Sequence, residues 1–296
     1  MTVRILKTGD EAPLENFLKD HAPTSMFLRS NMRQVGFGYK DAVYHGDYYG
    51  AVDESGAIKG VLAHYWNNNV MVQAPDNAIL SALFTHFRDH ATRPIGGVIG
   101  PDDQVLATID GLAIPEAAFA LNRDEGLYDL DLDDLKMPAN YDKARHKVAL
   151  AREAGQELLT AWLTAYNIEA LGSDDDDILK ERIKGDVKHT MENENRWVLL
   201  VDGTPVALCG FNAQLPDIVQ IGPVWTPPEH RSNGYARIVL VLSLAQAKER
   251  GVKSSVLFTD NPPAVKAYES IGYEKNGSFR LSLLKAPMPM SQKATL

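Results

Sequence analysis

One stretch constrains the fold more than any other, because it predicts three consecutive elements. Asp217–Gly222 is apolar and β-branched, which favours a strand. Residues 237–250 have the composition of a helix, and Gly251 is expected to end it. The turn between them finishes in Arg231-Ser-Asn-Gly-Tyr-Ala236. The stretch therefore predicts a strand, a turn and a helix in direct succession.

The turn has the features of an anion site. A glycine-containing loop that leads into a helix exposes backbone N–H groups without helical partners. Gly234 lets a ligand approach the backbone closely. The helix dipole adds positive potential, and Arg231 adds a full charge. Such a site suits a phosphate or a pyrophosphate. The alternative is an ordinary strand-to-helix connection with a surface arginine.

A second segment, Leu257–Tyr273, predicts a strand end, a turn, a helix and a stop at Gly272. The turn contains Asn261 and the helix contains Tyr268. Taken alone, the pattern also fits a plain core helix on which the tyrosine ring packs.

Together, the two segments resemble the signatures of the GNAT N-acetyltransferases. The first has the form Gln/Arg-x-x-Gly-x-Gly/Ala, which Arg231–Ala236 matches after a Val-x-Thr-Pro-Pro strand end. In the second, Asn261, Ala264, Tyr268 and Gly272 fall at the family's spacing. The two lie one strand and one helix apart, in the family's order, and the resemblance covers residues 145–286.

The resemblance implies acetyl-CoA as the donor, CoA as the product, and no metal. In the family, the pyrophosphate binds backbone amides at positions that correspond to 232–237. The pantetheine arm extends along a splayed strand at Val224 and Thr226, and the thioester lies beside the segment 261–268. The predicted cofactor-binding residues are Val224, Trp225, Thr226, Arg231, Ser232, Asn233, Gly234, Tyr235, Ala236, Arg237, Asn261 and Tyr268.

The same resemblance implies that a neutral amine attacks the thioester carbonyl directly. A backbone N–H near Val224 would stabilise the oxyanion, and Tyr268 would protonate the leaving thiolate as general acid. The general base is left open. Asp217 on the central strand is one candidate, His189 and Glu192 at the end of the preceding helix are others, and solvent is a further route.

The element order of the N-terminal half is also that of the family. Its segment Gln73-Ala-Pro-Asp-Asn-Ala78 lacks the Arg-x-x-Gly-x-Ala pattern, however. We therefore expect a degenerate GNAT-like domain at residues 1–138 and a catalytic GNAT domain at residues 139–296, joined by a linker at Leu135–Asn140. The predicted fold class is α/β with two GNAT-like domains, each a mixed, mostly antiparallel central sheet flanked by helices.

Composition excludes several function classes. The 296 residues are 45% hydrophobic and 23% charged, as in globular proteins. The net charge of −9 argues against nucleic acid as a partner. The sequence has no apolar run long enough to span a bilayer and no signal-peptide pattern, so a cytoplasmic location is expected.

Two further features have structural rather than chemical interpretations. The single cysteine, Cys209, excludes internal disulfides and is expected to be a core thiol. The acidic run Ser173–Asp177 is expected to begin a helix rather than to bind a metal, with Ser173 as the cap and Asp176 completing a capping box.

Three functions fit these patterns. The first is an acetyl-CoA-dependent N-acetyltransferase that acts on a primary amine. The second is a non-catalytic acyl-CoA sensor or binding module of the same fold. The third is a tandem acyl or aminoacyl transferase that uses other donors. The acceptor is left open among small amines, amino acids, antibiotics and protein lysines. The resemblance implies a homodimer as one arrangement. In the alternative arrangement, the N-terminal half replaces a second subunit.

Overall fold

The computed structural model describes residues 1–290, which form two compact units that alternate along the chain. The first unit contains Met1–Leu127, Phe258–Asp260 and the described residues from Lys275 onward. The second contains Tyr128–Leu257 and Asn261–Glu274. The last strand of the chain is therefore part of the first unit.

The helices and strands of the first half of the chain follow the order that its sequence patterns predict. These elements are β1 (Thr2–Ile5), α1 (Glu11–Lys19), α2 (Met26–Val35), β2 (Gly46–Val52), β3 (Ile58–Tyr65), β4 (Asn69–Gln73), α3 (Asn77–His90), β5 (Ile95–Pro101), α4 (Asp102–Gly111) and β6 (Phe119–Asp131).

The second half repeats that succession of strands and helices. Its elements are β7 (His146–Leu150), α5 (Gln156–Leu171), α6 (Asp177–Glu192), β8 (Arg196–Val201), β9 (Thr204–Gln214), β10 (Ile218–Trp225), α7 (Tyr235–Glu249), β11 (Ser254–Thr259), α8 (Pro262–Glu269) and β12 (Glu274–Met288).

Within the first unit, the strand order is β1-β2-β3-β4-β5-β12. Only the β4–β5 pair among these is parallel, and the others are antiparallel. One hydrophobic cluster packs α3 and α4 on one face of these strands, and a second packs α1 and α2 on the other.

Within the second unit, the strand order is β11-β10-β9-β8-β7, and the β10–β11 pair is the parallel one. The larger cluster packs α7 against one face, and the smaller packs α5 and α6 against the other. Each unit is thus a mixed, mostly antiparallel sheet with helices on both faces, which confirms the predicted fold class.

One local prediction is wrong. Asp176 is itself the N-cap of α6, because its carboxylate accepts from the amide of Leu179 at 2.8 Å, and Ser173 does not cap the helix. The helix nevertheless begins where the acidic run predicts. Within residues 1–290 no cluster of three or more potential metal ligands occurs, and no helix has the length and apolar character needed to cross a membrane.

Candidate active site

The central strand of the second unit separates from its parallel neighbour partway along its length. β10 pairs with β11 from Ile218 to Gln220, opposite Ser254–Val256, yet β10 continues to Trp225. On its other side it stays paired with β9 as far as Trp225, with register shifts on both sides of Ile221. Beyond Gln220, one backbone edge of β10 is therefore outside the parallel ladder and accessible to an extended ligand.

The loop after β10 presents a row of unused backbone donors. Ser232 and Gly234 have φ angles of +64° and +72°, and α7 begins at the next residue, Tyr235. Within residues 1–290, no partner accepts from the amides of residues 232–236. The amide of Thr226, directly after β10, also has no acceptor in this part of the chain. Because the helix dipole adds positive potential at these amides, the loop fits an anionic ligand.

Two polar side chains flank this loop. A Cβ on Gly234 would lie 2.9 Å from Nδ2 of Asn140 and 3.0 Å from Nη2 of Arg237. Asn140 donates to the carbonyl of Asn233 at 2.7 Å, and Arg237 donates to Oγ of Ser270 at 3.3 Å. The loop signature identifies Arg237 but not Asn140, which lies 93 residues before Asn233 and outside any motif.

Arg231 does not point at the free amides. Its Nε donates to the carbonyl of Thr226 at 3.0 Å, and its Nη2 lies 2.8 Å from Oε2 of Glu169. Its guanidinium also lies over the Trp225 ring, 4.9 Å from the centroid. The side chain therefore ties the loop to the end of β10 and to α5, and part of the charge that was expected at the anion site is neutralised by Glu169.

The side chain of Trp225 belongs to the core. It is 6% exposed, packs in the cluster under α5 and α6, and makes an edge contact with Tyr166 at 6.4 Å between ring centroids. Val224, one residue earlier, packs on the opposite face with the α7 cluster. Only backbone groups of Trp225 are therefore positioned to contact a ligand at the open edge.

Tyr268 is half-buried on α8 and packs with the same cluster as Val224. Its ring makes an edge contact with Tyr273 at 5.9 Å. Burial raises the pKa of Tyr268 well above its usual value, and the nearby Cys209 and Tyr166 raise it further. Since Cys209 is the β9 partner of Val224, the phenol lies near the separated part of β10. Asn261 is exposed directly before α8.

Among the candidate bases, Asp217 lies away from these groups. Asp217 precedes the first residue of β10, seven residues before Val224, and the rise of a strand separates the two by about 20 Å. The structure therefore does not bring Asp217 to the loop and Tyr268. His189 and Glu192 are exposed in the last turn of α6.

The first unit uses the equivalent donors internally. The amide of Ala74, directly after β4, donates to Oε1 of Gln104 at 2.6 Å. The amides of Ala78 and Ile79 at the start of α3 donate to Asp76 at 2.8 and 3.0 Å. A carboxylate of the chain thus occupies the helix N-terminus, where the second unit leaves its amides free.

A family match covers the part of the chain that contains the elements of this site. The Acetyltransferase (GNAT) family matches residues 156–273, which include β10, the loop and α8. Residues 156–273 of the chain are therefore similar to the GNAT family. A curated acetyltransferase of Agrobacterium fabrum is 29% identical to this chain over 117 residues, which are 40% of this chain and 74% of that one.

Solved structures show a similar fold over most of this chain. A tandem GNAT protein from the clavulanic acid biosynthesis pathway has a TM-score of 0.55 at 13% identity, covering 97% of this chain and 99% of that one. The GCN5-related glucosamine N-acetyltransferase region of a fungal multi-domain GH3 β-N-acetylglucosaminidase has a TM-score of 0.52 at 15% identity. That match covers 95% of this chain but 38% of the fungal chain. At these identities the likeness concerns the fold.

Proposed function

We propose that the second unit is an acetyl-CoA-dependent N-acetyltransferase that transfers the acetyl group to a primary amine by direct attack in a ternary complex. The observation that carries the proposal is the run of amides from Ser232 to Ala236, at the start of α7, that have no acceptor among the described residues 1–290. Consecutive N–H groups at a helix N-terminus bind phosphate oxygens without a compensating basic cluster.

The residues present fit this donor. The amides of residues 232–236 would hold the pyrophosphate, with Asn140 and Arg237 beside it. The free amide of Thr226 and the open edge of β10 offer strand-like hydrogen bonds to the amides of the pantetheine arm. Because Asp76 and Gln104 occupy the equivalent donors in the first unit, we propose one donor site per chain.

The donor supplies a thioester carbonyl that an amine can attack, and the chain supplies position and polarity. Holding both reactants together removes much of the entropic barrier. The backbone N–H at Val224 is the proposed donor to the developing oxyanion.

Tyr268 is the proposed acid for the leaving thiolate. The raised pKa of Tyr268 keeps its phenol protonated over the whole working range of pH, although it also makes the phenol a weaker acid. The same burial acts on sulfur, since it raises the pKa of the neighbouring Cys209 thiol to about 12. A thiolate that leaves in this environment is therefore more basic than in water. The pKa values of the phenol and of the thiol are both raised, so proton transfer from Tyr268 to the thiolate stays nearly balanced in free energy.

The amine must lose a proton before it attacks. Because Asp217 lies about 20 Å from Val224 along the strand, it is not part of the proposed machinery. We propose that the amine loses this proton either to solvent or to one of His189 and Glu192, which are exposed at the end of α6.

A free-thiol assay with acetyl-CoA and a panel of amines tests the proposal. Tyr268→Phe keeps the ring packing and removes the proton, so turnover should fall by about 100-fold or more while the KM for acetyl-CoA stays nearly constant. Asp217→Asn is the matched control and should leave turnover and its pH profile unchanged. Equal turnover in Tyr268→Phe would refute the acid role. Acetyl-CoA binding without thiol release for any amine would instead identify an acyl-CoA sensor.

A further inference from the structure

Arg196, the first residue of β8, is a half-buried cation with no carboxylate at ion-pair distance among residues 1–290. Its Nη1 donates to Oγ1 of Thr190 at 2.8 Å. Across residues 1–290 the guanidinium forms no ion pair. Burial lowers the pKa of Arg196, so the charge is held in an environment that disfavours it. A guanidinium with unused donors in such a place is a binding group for an anion.

The arginine stem crosses the sheet over a glycine. A Cβ on Gly210, the β9 partner of Arg196, would lie 2.8 Å from Cγ of Arg196 and 3.1 Å from Cδ of Pro223. The stem therefore fills the space above Gly210, on the side of β9 where Pro223 of β10 also lies. Two strand spacings separate β8 from β10, which is about 10 Å.

A second glycine, Gly222 of β10, is likewise covered by a side chain. A Cβ on Gly222 would lie 2.6 Å from Nδ2 of Asn212, so the exposed Asn212 side chain lies over this second glycine. Tyr166 of α5 interacts electrostatically with both Arg196 and Tyr268. Both the guanidinium and the phenol that is the proposed acid are therefore neighbours of Tyr166.

We propose that Arg196 binds a carboxylate of the acceptor, so that the acceptors of this enzyme are amines that carry a carboxylate, with α-amino acids as the simplest class. The inference rests on the proposed N-acetyltransferase function and adds its substrate class. The planar guanidinium fork matches the geometry of a carboxylate. A single cation suits a monoanion, and the half-exposed Asp186, which interacts with Arg196 at longer range, disfavours a dianion such as phosphate.

The alternative is a purely structural arginine that packs on Gly210 and is attracted by Asp186. Two variants separate the roles. Arg196→Met keeps the length of the stem and removes the charge, and Arg196→Lys keeps the charge but loses the fork. Asp186→Asn is the matched control, because it removes a carboxylate that interacts with Arg196 and leaves the guanidinium in place.

The experiment compares the twenty common L-amino acids with their α-carboxamides. Binding is measured by calorimetry on the full chain with CoA present, and turnover by thiol release with acetyl-CoA. Wild type should prefer a carboxylate to its carboxamide by about 100-fold, because the carboxamide leaves the buried charge unpaired. Arg196→Met should lose that preference at unchanged CoA affinity, Arg196→Lys should restore part of it, and Asp186→Asn should keep it.

The outcomes distinguish the inference from the function on which it rests. Carboxylate-dependent binding that needs Arg196 but gives no thiol release supports the inference and contradicts the enzyme. Turnover of amines with no carboxylate preference in wild type supports the enzyme and overturns the inference. A preference that survives in Arg196→Met, or tighter binding of O-phosphoethanolamine than of every amino acid, also overturns it.

Discussion

Gly234→Ala should damage donor binding far more than stability. Gly234 caps α7 with φ +72° and ψ +14°, a left-handed conformation that costs an alanine about 1 kcal/mol. The added Cβ would lie 2.9 Å from Nδ2 of Asn140 and 3.0 Å from Nη2 of Arg237. Both are ends of flexible side chains, so the steric contribution to unfolding is small. The methyl group would nevertheless stand among the free amides.

The loss of donor affinity follows from those amides. Displacing a phosphate from two charge-assisted N–H bonds costs about 1.5 kcal/mol for each bond. The sum of about 3 kcal/mol corresponds to a rise of about 100-fold in the KM for acetyl-CoA. The turnover number at saturating donor should change little, since the methyl group does not reach Tyr268 or Val224.

Gly172→Ala is the matched control. Gly172 ends α5 with φ +67° and ψ +28°, nearly the same conformation, and a Cβ there meets no atom within 4 Å. Both variants should lower the free energy of unfolding by about 1 kcal/mol, measured by urea denaturation. Only Gly234→Ala should raise the KM. Equal KM values in the two variants would refute the assignment of the loop as the pyrophosphate site.

Two further predictions concern pH and the loop. His64 is buried, and burial together with the charge of Arg93 lowers its pKa to about 4. The unfolded chain therefore binds a proton that the folded chain does not between about pH 6.5 and pH 4, so stability should fall by about 3 kcal/mol as pH drops through that window. His64→Leu should unfold with a flatter pH dependence in urea titrations, and an equal slope would contradict this. Asn140→Ala removes the bond to the Asn233 carbonyl and should raise the KM for acetyl-CoA a few-fold at constant turnover, whereas an unchanged KM would show that Asn140 is outside the site.

The sequence predicts the parts of the site that depend on neighbouring residues. The strand, turn and helix from Asp217 to Arg250 follow from local composition. Gly234 precedes the first residue of α7, because this position has a positive φ angle that glycine adopts easily. The acidic run before α6 likewise predicts a helix start, because capping involves residues three apart.

The parts that the sequence does not predict depend on distant residues or on broken periodicity. Asn140 reaches the loop from 93 positions away, and Arg231 finds its partner Glu169 on α5, 62 positions away. The direction of the Trp225 side chain could not be read from period-2 alternation, since register shifts on both sides of Ile221 interrupt it. β12 pairs with β5, which is distant in the sequence. The alternation of apolar and polar residues along a strand does not determine which distant strand it pairs with.

The stoichiometry of acetyl-CoA binding tests the central claim most directly. Isothermal titration calorimetry of the full chain should give one site per chain, because Asp76 accepts from the amides at the start of α3, whereas the amides at the start of α7 have no acceptor within residues 1–290. Two sites of similar affinity would contradict the assignment of Asp76 and Gln104 as internal occupants of the first unit's donors. No binding at all would contradict the proposed function itself.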